Sequence, residues 1–322
     1  MAAARAKTSP ALALARKAWL QLHLDSARAI ELADRALTLA TATADRGGHA
    51  WAQIARGFHL LYFSTPAEAS ADLAEALRRF DALGERAGSI LAATGLARAQ
   101  WRSGDFEAAL DAVLPLRDEG LQVLRHEQRG VLLNTIAGCW SAQGRSDLAF
   151  AYMFQALRDA GPRRGHGFDA VLHCNLAHEL LQIGDHGEAL RHVDLGLARC
   201  GGLNNPRLLS VLLINRIISL TELNRAAEAL PDIVRVRDLP ANAQGRGTVA
   251  PGFETLAIAA LRAGETALGG ELIEQALATG RMQLPDERVE LAVAEALLAM
   301  QLGATAEARA PLDAVRTMCD EG

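Results

Sequence analysis

A short turn recurs along this chain at a nearly fixed interval, and that recurrence constrains the fold more than any other feature. RSGDFEAAL (102–110), AQGRSDLAF (142–150), QIGDHGEAL (182–190), ELNRAAEAL (222–230), RAGETALGG (262–270) and QLGATAEAR (301–309) align with one another. The turn positions are Leu24, Ser64, Gly104, Gly144, Gly184, Asn224, Gly264 and Gly303, spaced by 40 and finally by 39. A glycine or asparagine there fits a left-handed residue that closes one helix. The residues that follow cap a second helix: Asp185 with Glu188, and Thr65 with Glu68, have capping-box spacing, and Pro66 takes the favoured first helical position.

A second signal runs in phase with the turn. Five residues beyond it stand Ala29, Ala69, Ala109, Ala149, Ala189, Ala229, Gly269 and, in the last repeat, Ala308. Seven residues before it the demand for a small side chain returns at Gly57, Ala97, Ala137, Ala177, Ala257 and Ala296, and is broken by Lys17 and Ile217. Small residues on both arms of a turn predict two helices pressed backbone to backbone. Each arm carries apolar residues at i, i+3, i+4 and i+7, as in DAVLHCNLAHELLQI (169–183). Looser punctuation separates the hairpins at 161–167, 200–206, 239–252 and 279–287. The expected fold is all-α: a right-handed α-solenoid of about eight helix pairs, at approximately 11–45, 48–83, 86–119, 127–160, 168–200, 206–238, 249–279 and 286–319, in one domain over 1–322. One pair cannot bury its own apolar face, and stacking eight gives a continuous core.

Composition agrees and excludes much chemistry. Half of the residues are apolar but aromatics are only 4%, a helix-forming rather than sheet-forming balance. The net charge of −5 offers no basic face for a nucleic acid. Lys7 and Lys17 are the only lysines, so Schiff-base, P-loop and lysine-base chemistry are excluded from nearly all of the chain. Cys139, Cys174, Cys200 and Cys319 form no CxxC pair and read as reduced thiols of a cytoplasmic protein. No uncharged apolar run is long enough to span a membrane, and Arg16 and Lys17 interrupt the N-terminal apolar stretch. GxSxG, HExxH, Walker and dinucleotide fingerprints are missing. His166, His173, His178, His186 and His192 cluster, but only Cys174 and His178 have ligand spacing on one helix face, so no metal, cofactor or catalytic residue is expected.

The chain resembles the tetratricopeptide repeat (TPR) family. The resemblance rests on the small pair (Ala177 with Ala189), the large apolar residue before it (Leu96, Ile136, Leu176) and the GD turns Gly104-Asp105 and Gly184-Asp185. That family's usual repeat is 34 residues, against 40 here, and its aromatics are mostly missing, Trp140 and Phe150 coming nearest. The resemblance implies that the first helix of each pair lines a concave face where a protein or peptide lies. Carried over by position, that face takes in Trp51, Phe58 and Tyr62; Thr94, Arg98, Trp101 and Arg102; Asn134; Asn175 and His178; Asn215 and Glu222. The proposed contact set is Tyr62, Arg98, Trp101, Arg102, Asn134, Asn175, His178 and Asn215. The row Asn134, Asn175, Asn215 is either a grip on a peptide backbone or a ladder joining neighbouring repeats. Tyr62 and Trp101 are either interface anchors or packing between repeats.

Lines such as LNTIAGCWSAQGRSDLAFAYMFQAL resemble the N-terminal repeat regions of bacterial GGDEF-type diguanylate cyclases. That resemblance implies a non-catalytic, cytoplasmic sensory scaffold. The text stops at AVRTMCDEG without a polar capping helix, so an output domain is expected to follow in a longer polypeptide. The regulatory region of a transcription regulator and a stand-alone adaptor are the alternatives. The uncovered terminal pairs, with Leu12, Leu14 and Trp19 at one end and Leu312 and Val315 at the other, predict a homodimer.

Overall fold

A computed structural model describes residues 9–160, 167–239, 252–278 and 285–321. Among these, the chain forms helices and no named strand. The eight expected pairs are all present. They are Pro10–Gln21 (α1) with Ser26–Ala42 (α2), Arg46–Phe63 (α3) with Pro66–Leu83 (α4), and Arg86–Arg102 (α5) with Phe106–Val113 (α6), continued as Arg117–Val123 (α7). Then come His126–Ala142 (α8) with Ser146–Ala160 (α9), Phe168–Gln182 (α10) with His186–Cys200 (α11), and Pro206–Glu222 (α12) with Leu230–Arg237 (α13). Phe253–Arg262 (α14) with Thr266–Ala278 (α15) and Pro285–Gln301 (α16) with Thr305–Glu321 (α17) complete the series. The second helix of the third repeat is split where Pro115, which has no N–H to donate, forces a 3₁₀ turn at Leu114–Leu116.

The residues form two compact units. The first gathers the described residues up to Glu179 with Gly196–Asn205; the second contains Leu180–Leu195 and the described residues from Pro206 onward.

Turn chemistry follows the sequence at six of eight sites. Gly104, Gly144, Gly184, Gly264, Gly303 and Asn224 all have positive φ. Ser64 is extended instead (φ −142°), and Leu24 is not among the left-handed residues. The expected caps form by one arm: the Thr65 hydroxyl accepts from the Glu68 N–H at 3.3 Å, and the Asp185 carboxylate from the Glu188 N–H at 3.1 Å. The return arm is spent elsewhere, since Glu68 takes the Ser64 hydroxyl and Glu188 takes Arg191.

The small residues are where the helices touch. Ala69, Ala109, Ala149, Ala189 and Ala229 are fully buried, and a Cβ on Gly269 would come within 2.5 Å of Leu261. On the other arm, a Cβ on Gly57 would lie 2.7 Å from Leu73. The two exceptions differ. In the first repeat Lys17 is exposed and Ala18, one position on, is buried in its place. Ile217 is fully buried, in the repeat whose second helix opens with a 3₁₀ segment, Ala226–Ala229.

A device that the sequence reading missed holds repeats together. Arg56 on α3 bonds Asp72 on α4 at 2.5 and 2.6 Å and pairs with Asp34 on α2 at 3.7 Å. In the second unit Arg216 on α12 reaches Asp232 on α13 at 2.5 Å and Asp194 on α11 at 3.0 Å. Each arginine stands eight residues before its turn, and each carboxylate pair has the same offsets. The signal was therefore in the text, as an arginine where Leu96, Ile136 and Leu176 stand in other repeats.

Candidate functional site

The two units treat the inward face of their first helices differently. In the first unit most of the expected contact residues are engaged with the protein itself. The Arg98 guanidinium lies over the Tyr62 ring, 5.4 Å from its centroid. Arg102 donates to the carbonyls of Leu61 and Ser64, which are left unpaired at the C-terminus of α3. Its pKa is held down by burial and by neighbouring Arg98. Trp101 donates its indole N–H to the Gly138 carbonyl on α8 at 3.0 Å. The Asn175 amide donates to the Asn134 side-chain oxygen at 2.8 Å, so these two form a rung between repeats. Asn215 is buried on α12 of the second unit, and His178 is exposed on α10.

Several positions expected on the open face are core. Phe58, Trp51 and Thr94 are 2%, 6% and 0% exposed. Phe58 and Trp51 make edge-on contacts with Trp19 at 5.1 Å and Phe80 at 5.5 Å, and the Thr94 hydroxyl returns to the Ile90 carbonyl. All three lie on first helices, α3 and α5, at positions packed against neighbouring helices. His59, on α3, stacks on Phe63, and burial pushes its pKa down to about 4. Cys139 is a buried free thiol with its pKa raised to about 11 by burial, which makes it inert. His166 and the side chain of Cys319 lie outside the described residues, as does most of the 161–167 and 239–252 punctuation. Among the described residues, no group of three or more His, Cys, Asp and Glu is arranged to hold a metal ion, and no helix is long and apolar enough to cross a membrane.

The first unit also closes on itself. In a solenoid each repeat ordinarily touches only its neighbours. Here the turn after α1 bonds far along the chain. The Leu24 carbonyl accepts from the Asn204 N–H at 2.7 Å, and Asp25 forms a parallel bridge with Asn204. The Asn205 amide donates to the His23 carbonyl, 182 positions away. The His23 ring packs 5.1 Å from Phe168 and 6.0 Å from Tyr62. Gly167 sits at φ +64°, where a Cβ would lie 2.9 Å from the His23 carbonyl oxygen. In the sequence 200–206 and 161–167 have the composition of spacers, and only the paired asparagines and the glycine point to a contact.

The second unit leaves its inward face open. A groove of about 470 Å³ runs between α12, α14 and α16. Its apolar lining is Ile218, Ile258, Val293 and Leu297, all half-buried. Arg262 and Glu222 pair across it at 2.7 Å, and the Thr255 hydroxyl donates to Glu290. Glu254, next to Thr255, has a raised pKa because burial and the neighbouring carboxylates Glu290 and Glu287 disfavour its charge. Ile218, Ile258 and Leu297 stand six residues before their turns, the position that Arg98 and His178 occupy in the first unit.

No family model matches the chain, and no curated protein matches it either. Solved structures match it in fold. One is the crystal structure of the APC/C hetero-tetramer Cut9–Hcn1, with a TM-score of 0.60 over 90% of this chain at 14% identity. This chain spans 55% of that one. Another is the crystal structure of Rap protein complexed with Competence and Sporulation Factor, with a TM-score of 0.57, 12% identity, and coverage of 97% of this chain and 98% of that one. At these identities the likeness establishes the fold, an all-α TPR-like solenoid.

Proposed function

We propose that this chain is a non-catalytic protein-interaction scaffold whose docking site is the groove of the second unit. The observation that carries this is the half-buried aliphatic lining of Ile218, Ile258, Val293 and Leu297 in a groove of about 470 Å³. Covering such a lining removes apolar surface from water, and the gain scales with the area covered. The acidic side of the groove, Glu290 with Glu254 and Glu287 nearby, favours a cation in the partner. The partner is therefore a peptide segment that carries apolar side chains and a basic residue. The two fold neighbours support the reading, one solved within a hetero-tetramer and the other complexed with a factor. In this reading Tyr62, Arg98, Trp101, Arg102, Asn134 and Asn175 hold the first unit in shape, while Asn215 supports the floor of α12. The test is selection from a random peptide library. Selected peptides are expected to combine leucine or isoleucine with arginine or lysine, and to lose binding to Ile258→Asp while keeping it with Arg98→Ala. Loss with Arg98→Ala and retention with Ile258→Asp would overturn the assignment.

The finer role proposed is the regulatory region of a bacterial cytoplasmic signalling protein such as a diguanylate cyclase, supported by the resemblance of the repeat text. An in-frame GGDEF motif in the coding sequence beyond Gly322 is the expected finding, and a stop codon there removes the proposal. A homodimer through the last repeats is proposed from the exposure of Leu302 (67%), Met300 (58%) and Leu277 (53%). A monomeric mass by light scattering at tens of micromolar is the contrary result.

A further inference from the structure

The first unit, though closed, keeps a cavity of about 200 Å³ between α1, α3, α5, α7 and the first turn of α8. Two of its walls are indoles. Trp19 and Trp51 are 7% and 6% exposed yet line the space, and both are held in place. The Trp51 N–H donates to Glu85 at 3.0 Å, and its ring meets Phe80 edge-on; Trp19 meets Phe58 in the same way. Leu20 and Val123, both partly exposed, complete the apolar part. A slot with fixed aromatic walls needs no rearrangement to receive a ligand, which removes one cost of binding.

Charges of both signs surround the slot. Arg16 projects from α1, Arg125 caps α8, and Glu127 stands in the first turn of α8. Among the described residues, Arg16 and Glu127 make no ion pair or side-chain hydrogen bond and Arg125 makes no ion pair, in contrast with Glu85, which Trp51 holds. Exposed charges alone carry no message, because water satisfies them. Here two guanidiniums and two carboxylates, Glu127 and the Trp51-bound Glu85, line a preformed slot the size of one large side chain. A simple anion would find Glu127 and Glu85 repulsive, and a simple cation would find two arginines repulsive. A small molecule with both charges beside an apolar body satisfies every group.

We propose that this cavity binds an α-amino acid with a large apolar side chain. Its carboxylate pairs with Arg16 and Arg125, its ammonium with Glu127, and its side chain lies between Trp19 and Trp51. The bidentate fork of arginine suits the carboxylate, and the indoles suit an apolar group. The site is separate from the groove proposed for the second unit and does not depend on it.

The experiment is calorimetric titration of the full chain with L-phenylalanine and L-leucine, alongside 3-phenylpropionate, which lacks the ammonium, and phenethylamine, which lacks the carboxylate. Tryptophan emission is read in parallel. Saturable binding of the amino acids is expected, with both comparators at least about tenfold weaker. Arg125→Ala and Glu127→Gln, at exposed and half-exposed positions, are each expected to weaken binding about tenfold or more with the melting temperature unchanged. Ile258→Asp is expected to leave binding as it was. The proposal is overturned by no saturable heat with either amino acid, by comparators that bind as tightly, or by indifference to both rim variants.

Discussion

Six residues before the turn, the first unit places Phe58 and Arg98, and the second places Ile218, Ile258 and Leu297. The repeat is the same and the position is the same, but the outcome differs: Phe58 is core, Arg98 is half-buried against its own unit and His178 is exposed. Phe58 is sealed against Trp19, and Arg98 is stacked on Tyr62. The three aliphatics of the second unit stay half-buried along a groove. Repetition therefore fixes where the inward face lies, while the size and polarity of the residue there decide whether that face becomes core or surface. The clasp of Leu24 and Asn204 reinforces the difference, because it ties the first unit into a ring of contacts.

The sharpest way to break this comparison is to truncate the same position in both units. Phe58→Ala is expected to cost about 3–5 kcal/mol in urea unfolding, since the site is fully packed. Ile258→Ala, at a half-buried site, is expected to cost no more than about 1–2 kcal/mol while weakening peptide binding at the groove. Equal costs would mean that the two faces are packed alike.

Glycines give the next largest contrast. Gly167→Ala places a Cβ against the His23 carbonyl at a left-handed backbone and is expected to destabilise by about 2–3 kcal/mol. Gly303→Ala, at φ +78° with open space around it, carries only the backbone penalty of about 1 kcal/mol. A Gly167→Ala variant as stable as wild type would remove the clasp from the account. Asn175→Ala leaves the Asn134 side chain buried without its rung and is expected to cost about 1–3 kcal/mol. The added cost of Asn134→Ala on that background should be small, as measured by a double-mutant cycle.

Acid should act on the units with opposite signs. His59 has its folded pKa depressed from 6.5 to about 4, so the unfolded chain binds more protons between these values. Its contribution is present above pH 6.5 and is lost as pH falls toward 4. Glu254 has its folded pKa raised above 4.5, so the folded chain holds the extra proton. Its penalty grows as pH rises from 4.5 through the folded pKa. Unfolding titrations from pH 4 to 7 should show a flatter acid limb for His59→Leu. For Glu254→Gln they should show a gain of less than about 1 kcal/mol at pH 7 that disappears near pH 4.5. A variant pair with unchanged profiles would show that neither group is desolvated as described.

Much of this fold was legible because its determinants are local and repeated. Gly104, Gly144, Gly184, Gly264 and Gly303 announce the left-handed turns, and Ala69 to Ala229 announce the helix contacts. The first helix of each pair was legible for the same reason. Its fate was not, because burial of Trp51, Phe58 and Thr94 depends on neighbours 20 to 40 residues away, which a single-helix count does not see. The Arg56 and Arg216 clamps show in the sequence only as breaks in an apolar pattern, because their carboxylate partners lie on other helices. The contact of residues 23–25 with 204–205 could not be read, since a solenoid rule predicts contacts only between neighbours.

The most direct test is hydrogen exchange on the full chain with and without a library-selected peptide. The account predicts added protection in α12, α14 and α16, with exchange in α3, α5 and α8 unchanged. Protection confined to α3, α5 and α8, with none along the Ile218–Ile258–Leu297 line, would contradict it.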